Sequence, residues 1–420
     1  MNLGVARSSA MALSAAKNAR ILQFGLPLNG VGAIYSAGNH ILNNCLYSSD
    51  VKFIKTVDPA QLKRGRGGRS SFSGNVCTIF GATGFMGRYV ANRFGKTGTQ
   101  LVIPYRGDYY DARHLKLVGD LGQVVFCHYH LCDEEVIAKA MKYSNIVVNL
   151  VSRDWPTKNF TLHQVHVEGA ARLARIAKKV GVERFIHVSA LNSDRNHEGT
   201  IISGGSPFLA AKGEGEKAVL AEFPEAIIIR PSDVYGSEDR FLRYYAHLWR
   251  SDARSLSVPK AGRGIFKQPV YVGDVAQGIV NAALKDLGAE GQIYQAVGPR
   301  RYELRELVEW FLRVLRRGPG LETCTTIRDI KFYPMPFIKA KMNEFLPSFP
   351  INFQTKEKLE RETVTDIVSP KLPTLEDLGV IPIKMEERIE WELRPYRAFE
   401  SYEEEIGDFP IPHPPKYIEA

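Results

Sequence analysis

The run from Val76 to Gly87 reads Val-Cys-Thr-Ile-Phe-Gly-Ala-Thr-Gly-Phe-Met-Gly, a short apolar stretch closing on glycines spaced three apart at Gly81, Gly84 and Gly87. An amphipathic segment, Phe85 to Phe94, follows and stops at Gly95. The pattern predicts a strand, a tight turn and the start of a helix. Glycine serves where the turn is sharp, where backbone must approach a pyrophosphate, and where the helix packs on the strand. The helix N-terminus then offers unpaired N–H groups and the positive end of a dipole. A second strand-like run, Gln100–Pro104, completes the context, so a dinucleotide is the expected ligand.

From Asn75 onward strands and helices alternate. Strand-like runs fall at Val76–Phe80, Gln100–Pro104, Val124–His130, Ile146–Val151, Phe185–Ser189 and Ala226–Arg230. The clearest helical patterns are Gln164–Val180, ended by Gly181, and Gly215–Phe223, ended by Pro224. Such alternation predicts an α/β fold with a doubly wound parallel sheet, and the near-continuous apolar strands fit a sheet covered on both faces. The ligand then sits beyond the C-terminal strand ends.

The expected division is a leader over 1–50, a linker over 51–74, a Rossmann-type domain over 75–300 and a C-terminal helical and extended region over 301–420. Nine Lys or Arg and two Asp fall in residues 1–70, so the leader and linker carry most of the net charge of +9. The body therefore gives no reason to expect nucleic acid, and it holds no aromatic-basic stripe. Before Asp50 the leader has no acidic residue, and Arg7, Lys17 and Arg20 are spread among Ala, Ser, Leu and Met. That is the composition of a mitochondrial transit peptide. The five cysteines, Cys45, Cys77, Cys127, Cys132 and Cys324, are odd in number and scattered, which fits a reducing compartment. In Cys127-His128-Tyr129-His130-Leu131-Cys132, strand alternation sets Cys127 opposite His128 and His130, so no metal site is expected.

Past Pro299 the pattern changes. Glu303–Arg317 is a strongly amphipathic helix with Leu304, Leu307, Val308, Phe311, Leu312 and Leu315 on one face. Phe332–Phe353 is rich in proline and aromatics with Lys331, Lys339 and Lys341 interleaved or adjacent, a composition suited to a partner surface or a membrane interface. The tail from Tyr402 reads as an extended arm.

An NAD site places an acid about 20 residues past the glycine loop, on the ribose hydroxyls. Here the second strand runs into Tyr105-Arg106-Gly107-Asp108, with Arg106 near that position. A guanidinium there suits a 2′-phosphate, which favours NADPH, and Arg88 is a second candidate phosphate partner.

These features resemble the short-chain dehydrogenase/reductase superfamily over about residues 75–300. Gly81-Ala-Thr-Gly-Phe-Met-Gly87 has the form of its atypical and extended members. Phe185-Ile-His-Val-Ser189, Arg230-Pro-Ser-Asp-Val-Tyr-Gly236 and Gln268-Pro-Val-Tyr-Val-Gly-Asp274 extend the match. A narrower likeness rests on Val148-Asn-Leu-Val-Ser-Arg-Asp-Trp-Pro-Thr-Lys-Asn-Phe160, Ile103-Pro-Tyr-Arg106 and Lys267-Gln-Pro-Val-Tyr271. It is to the family of NADPH-binding accessory subunits of mitochondrial respiratory complex I, and runs from Arg69 to about Gly379. That resemblance implies complex I subunits as partners, a matrix-side position on the inner membrane, and a role in assembly and stability.

Active superfamily members use a Tyr-x-x-x-Lys pair, with a serine on the preceding strand. The resemblance puts Ser189 at the serine position and Lys212 at the lysine position, but Phe208 where the tyrosine belongs. Phenylalanine has no proton to give, so the expectation is a nucleotide bound without turnover and no catalytic residue. The expected cofactor-binding set is Gly81, Ala82, Thr83, Gly84, Phe85, Met86, Gly87, Arg88, Arg106, Leu150, Ser189 and Lys212. The rival reading is an independent mitochondrial NADPH-dependent reductase or epimerase. A third is a soluble redox sensor of the same fold without a permanent partner.

Overall fold

In the computed structural model the described residues are 63–195, 199–247, 250–252, 255–285, 288–317, 325–332, 334–344, 354–400, 409 and 412–419. All lie within the unit Thr56–Ala420. The leader, the first half of the 51–74 linker, Cys45, Cys324, and much of the 332–353 stretch and the tail lie outside them.

Seven strands form the main sheet: β1 Val76–Phe80, β2 Gln100–Tyr105, β3 Val124–His128, β4 Ile146–Asn149, β5 Arg184–Val188, β6 Ile227–Pro231 and β7 Ile293–Ala296. Their order is β7-β6-β5-β4-β1-β2-β3, and every pairing is parallel. β1 therefore lies between β2 and β4, where the winding reverses and a crevice opens. Six strands stand within a few residues of the sequence expectation. β7 is an addition, because Ile-Tyr-Gln-Ala is short and carries a glutamine that is spent on the backbone of Ser369.

Alternation sends successive strand side chains to opposite faces. Cys77 and Ile79 of β1, with Ile186 and Val188 of β5, pack on Val90 and Phe94 of α1 (Phe85–Lys96) and on Ile279 of α5 (Val272–Leu284). Phe80, Val147 and Phe185 face the other way. They meet Ile137 of α2 (Glu134–Met141), Leu173 of α3 (Gly169–Val180) and Val219 of α4 (Pro207–Glu222). Gly181 ends α3 in the left-handed conformation, its N–H returning to Ala177.

One element corrects the sequence reading. α4 starts at Pro207 rather than Gly215. Its Ser206 side chain caps the Leu209 N–H and proline takes the first turn, where no donor is needed. Gly213 and Gly215 hide the helix because they are poor helix formers. They are needed where α4 presses on the carbonyls of Ser193 and His166, which a Cβ would strike. Part of the proline-rich stretch is also regular: α7 covers Met335–Glu344, after α6 (Leu304–Val314).

Residues beyond 300 do not stand apart from those before it. The apolar stripe of α6 shares one core with Tyr235, Phe241, Tyr245 and Leu256, and with Met385, Ile389 and Leu393. Arg300–Glu303 pairs with Phe266–Lys267 on one side and with Tyr417–Glu419 of the tail on the other. Among the described residues no helix is long and apolar enough to cross a membrane.

Candidate functional site

A cavity of about 250 Å³ opens at the C-terminal ends of β1, β4, β5 and β6. Its first wall is the glycine loop. Gly81 has φ +81°, and a Cβ there would come within 2.9 Å of the Leu150 carbonyl carbon at the end of β4. Gly87 lets α1 touch the turn, since a Cβ would lie 2.5 Å from Ala82 Cα. Gly84 caps α1 without a side-chain bond, and the first turn has no acid. The helix start is thus left with free N–H groups and no acidic side chain of its own in the first turn, a cradle for phosphate.

Eight of the twelve expected residues line the cavity: Gly81, Gly84, Phe85, Met86, Gly87, Leu150, Ser189 and Lys212. Ala82 is fully buried in the core beneath the loop. Thr83 is half-buried and away from the wall. Arg106 is exposed just past the end of β2. Arg88 is half-exposed and gives Nη1 to Glu238 Oε1 at 3.0 Å, so a phosphate at Arg88 has a carboxylate to compete with.

The second wall is β5 and α4. Ser189 Oγ donates to Ser193 Oγ, which donates to Glu216, and Arg230 holds Glu216 from the other side. Lys212 Nζ donates to the Val188 carbonyl at 2.9 Å. Burial pushes the Lys212 pKa down to about 8 against the pull of Asp154 and Glu216. One turn earlier, Phe208 is buried edge-on to His166, with ring centroids 5.2 Å apart. At the place where the resemblance expects a phenol, the cavity has a ring without a hydroxyl.

The third wall was not foreseen. It comes from Asp154, Asp233 and Arg240, and from Lys358 and Arg361 of α8 (Lys356–Thr363). Arg361 places its guanidinium 4.4 Å from the Phe208 ring centroid. Asp154 Oδ2 accepts from Arg240 at 2.8 Å and meets Arg361 at 3.8 Å. Burial alone would raise the Asp154 pKa, but Arg361 and then Arg240 outweigh it and hold the carboxyl well below the usual range. Asp233 meets Lys267 at 3.2 Å and Lys358 at 4.0 Å. Burial works against its charge, yet Lys267 and Lys358 bring its pKa to about 2. Among the described residues no group of His, Cys, Asp or Glu is arranged to hold a metal ion.

Residues 77–296 match the model of the NAD dependent epimerase/dehydratase family. A mouse protein, NADH dehydrogenase (ubiquinone) 1 alpha subcomplex subunit 9, mitochondrial, is 43% identical over 83% of this chain and 88% of its own. The Arabidopsis thaliana protein of that name is 38% identical over 84% of this chain and 86% of its own. The NADH-ubiquinone oxidoreductase 40 kDa subunit of Neurospora crassa is 35% identical over 84% and 88%. Among solved structures, an NADPH-dependent quinone oxidoreductase from Escherichia coli, complexed with NADPH, covers 75% of this chain and 99% of its own. Its TM-score is 0.55 at 16% identity, a likeness of fold alone.

Proposed function

The chain belongs to the NAD dependent epimerase/dehydratase family, and from that premise we propose that it is a non-catalytic, NADPH-binding accessory subunit of mitochondrial complex I. Relatives from animal, plant and fungus are named as subunits of that enzyme, and this chain spans more than four-fifths of each. Complex I subunits are accordingly its partners. Its place is peripheral, on the matrix side of the inner membrane, with no role in binding nucleic acid.

The observation that carries the non-catalytic part is the join between the two walls. The phosphate cradle is intact, while the position four residues before Lys212 holds Phe208 under Arg361. A bound nicotinamide supplies hydride chemistry, which needs a proton donor beside the carbonyl being reduced. A positioned acid is worth ~10²–10⁴ in rate, and here none stands at that point. The residues fit the nucleotide: Gly81, Gly84 and Gly87 for the pyrophosphate, Leu150, Ser189 and Lys212 towards the nicotinamide ribose, and Arg106 for a 2′-phosphate. Such a ligand stabilises the fold by mass action, by about 4 kcal/mol at a thousand times its dissociation constant.

α7 supports contact with the inner-membrane surface. Phe337, Ile338 and Met342 are exposed on it beside Lys339 and Lys341. The rival, an independent reductase or epimerase, needs the hydroxyl that Phe208 lacks. The test is native electrophoresis of mitochondrial membranes followed by detection of this chain. Comigration with complex I is expected; migration as a free protein refutes the reading.

A further inference from the structure

We propose that the cavity discriminates between the oxidation states of its nucleotide, retaining the reduced nicotinamide and disfavouring the oxidised pyridinium. The proposal rests on the dinucleotide reading above and adds to it a function for the charged third wall.

The two forms differ by one positive charge on the nicotinamide ring; their phosphates, riboses and adenine are alike. A ratio of affinities therefore isolates what surrounds the ring. With the pyrophosphate on the glycine loop, the rest of the cavity lies toward the ends of β4, β5 and β6. That end is lined by four cations, Lys212, Arg240, Lys358 and Arg361, against two carboxylates, Asp154 and Asp233. The groups behind them do not reverse the balance. Glu216, which pulls on Lys212, is itself held by the Arg230 guanidinium, at 2.7 Å from Nη2. Glu357 meets Arg361 Nε at 3.1 Å from outside the wall and offsets one cation. Lys267 and Asp366, behind Asp233, offset each other.

Three of the four cations are also enclosed. Lys212 is 2% exposed, and the side chains of Lys358 and Arg361 are 13% and 19% exposed, so water and salt screen them less than surface charges. Among the described residues lining the cavity, no carboxylate is left over to pair with a pyridinium. Asp154 is shared by Arg240 and Arg361, and Asp233 by Lys267 and Lys358. A positive ring enters as an additional like charge, whereas a neutral dihydronicotinamide does not. Two of the four cations come from α8, outside the strand-and-helix alternation that builds the nucleotide fold.

The experiment is a calorimetric titration of the purified full chain with NADPH and, separately, NADP⁺, at neutral pH. NADPH is expected to bind at least tenfold more tightly. Held by the protein, such a ratio raises the midpoint potential of the couple by about 30 mV. A ratio below tenfold in the parent protein overturns the proposal and leaves nucleotide binding standing. Binding of neither form brings down the dinucleotide reading and the proposal with it. Arg361→Gln should lower the ratio at least threefold and Arg361→Lys should preserve it; an unchanged ratio in Arg361→Gln overturns the proposal. Lys358→Gln provides the same readout if the Arg361 variant does not fold.

Discussion

Arg361 and Phe208 come from segments more than 150 residues apart, yet the guanidinium lies 4.4 Å from the centre of the ring. Lys212 Nζ is 5.9 Å from the same ring. A hydroxyl added by Phe208→Tyr thus joins a ring flanked by two cations, which favour phenolate over phenol. The variant is expected to bind NADPH and still fail to reduce carbonyls. Activity is followed as NADPH oxidation across a panel of aldehydes and ketones. A rise of ~10²-fold or more, the effect of a working general acid, would show that only the hydroxyl was missing. Turnover by the parent protein would revive the reductase reading.

In the proposed reading, Arg106 carries the preference for a 2′-phosphate. It is exposed past the end of β2, and Gly107 and Asp108 follow it. A charge-assisted hydrogen bond contributes about 1.5–3 kcal/mol, so Arg106→Glu should weaken NADPH relative to NADH by at least tenfold. Competition binding reads this directly, and an unchanged preference removes Arg106 from the site.

The glycine loop separates two effects. Gly84 is open to the cavity, and its Cβ would meet only the Gly81 carbonyl at 3.3 Å. Gly87 is closed against Ala82. Gly84→Leu should lose most of the rise in melting temperature that NADPH gives the parent. Gly87→Ala should lower the melting temperature even without nucleotide. If Gly84→Leu gains as much from NADPH as the parent does, the loop is not the phosphate cradle.

The sheet was legible because both its faces are covered. Ile146-Val-Val-Asn149 and Ile227-Ile-Ile-Arg230 have no polar alternation to confuse, and Gly181 marks a helix end by its own backbone. The third wall of the cavity was not legible. α8 reads Lys-Glu-Lys-Leu-Glu-Arg-Glu-Thr, the composition of a solvated face, and only Leu359 advertises burial. The structure buries it by pairing each charge. Glu360 accepts from the N–H groups of Thr200, Ile201 and Ile202, Glu357 from Ser206, and Glu362 from Arg250. Partners more than 100 residues away leave no local pattern. The same holds for Arg88, whose use by Glu238 is visible only once the chain is folded.

His166 predicts an acid-sensitive stability. Burial, aided by Lys212, pushes its pKa down to about 3, against an unfolded value near 6.5. The folded protein refuses a proton that the unfolded chain accepts, so this contribution is intact above pH 6.5 and is lost as pH falls towards 3. The slope is about 1.4 kcal/mol per pH unit in that window. His187, also buried and lowered, acts in the same sense. Asp239 and Asp366, raised by burial to about 7 and about 6, act in the opposite sense. The readout is therefore the difference between parent and His166→Gln in urea unfolding at pH 7 and pH 5. The variant should lose less stability on acidification; equal losses would mean that His166 titrates normally.

Glu362 and Arg250 fasten α8 beside the core that α6 shares with Tyr245. Their side chains are 1% and 0% exposed, 3.2 Å apart, and Tyr245 adds its hydroxyl to Glu362 at 2.9 Å. Removing one member of such a pair leaves an uncompensated buried charge, which costs about 3–5 kcal/mol. Glu362→Ala should therefore destabilise the protein by that order in chemical unfolding. Because α8 carries Lys358 and Arg361 into the cavity, the loss should extend to the nucleotide. Under conditions where the variant stays folded, its NADPH affinity should fall although residue 362 does not line the cavity. Destabilisation with an unchanged NADPH dissociation constant would separate α8 from the nucleotide site.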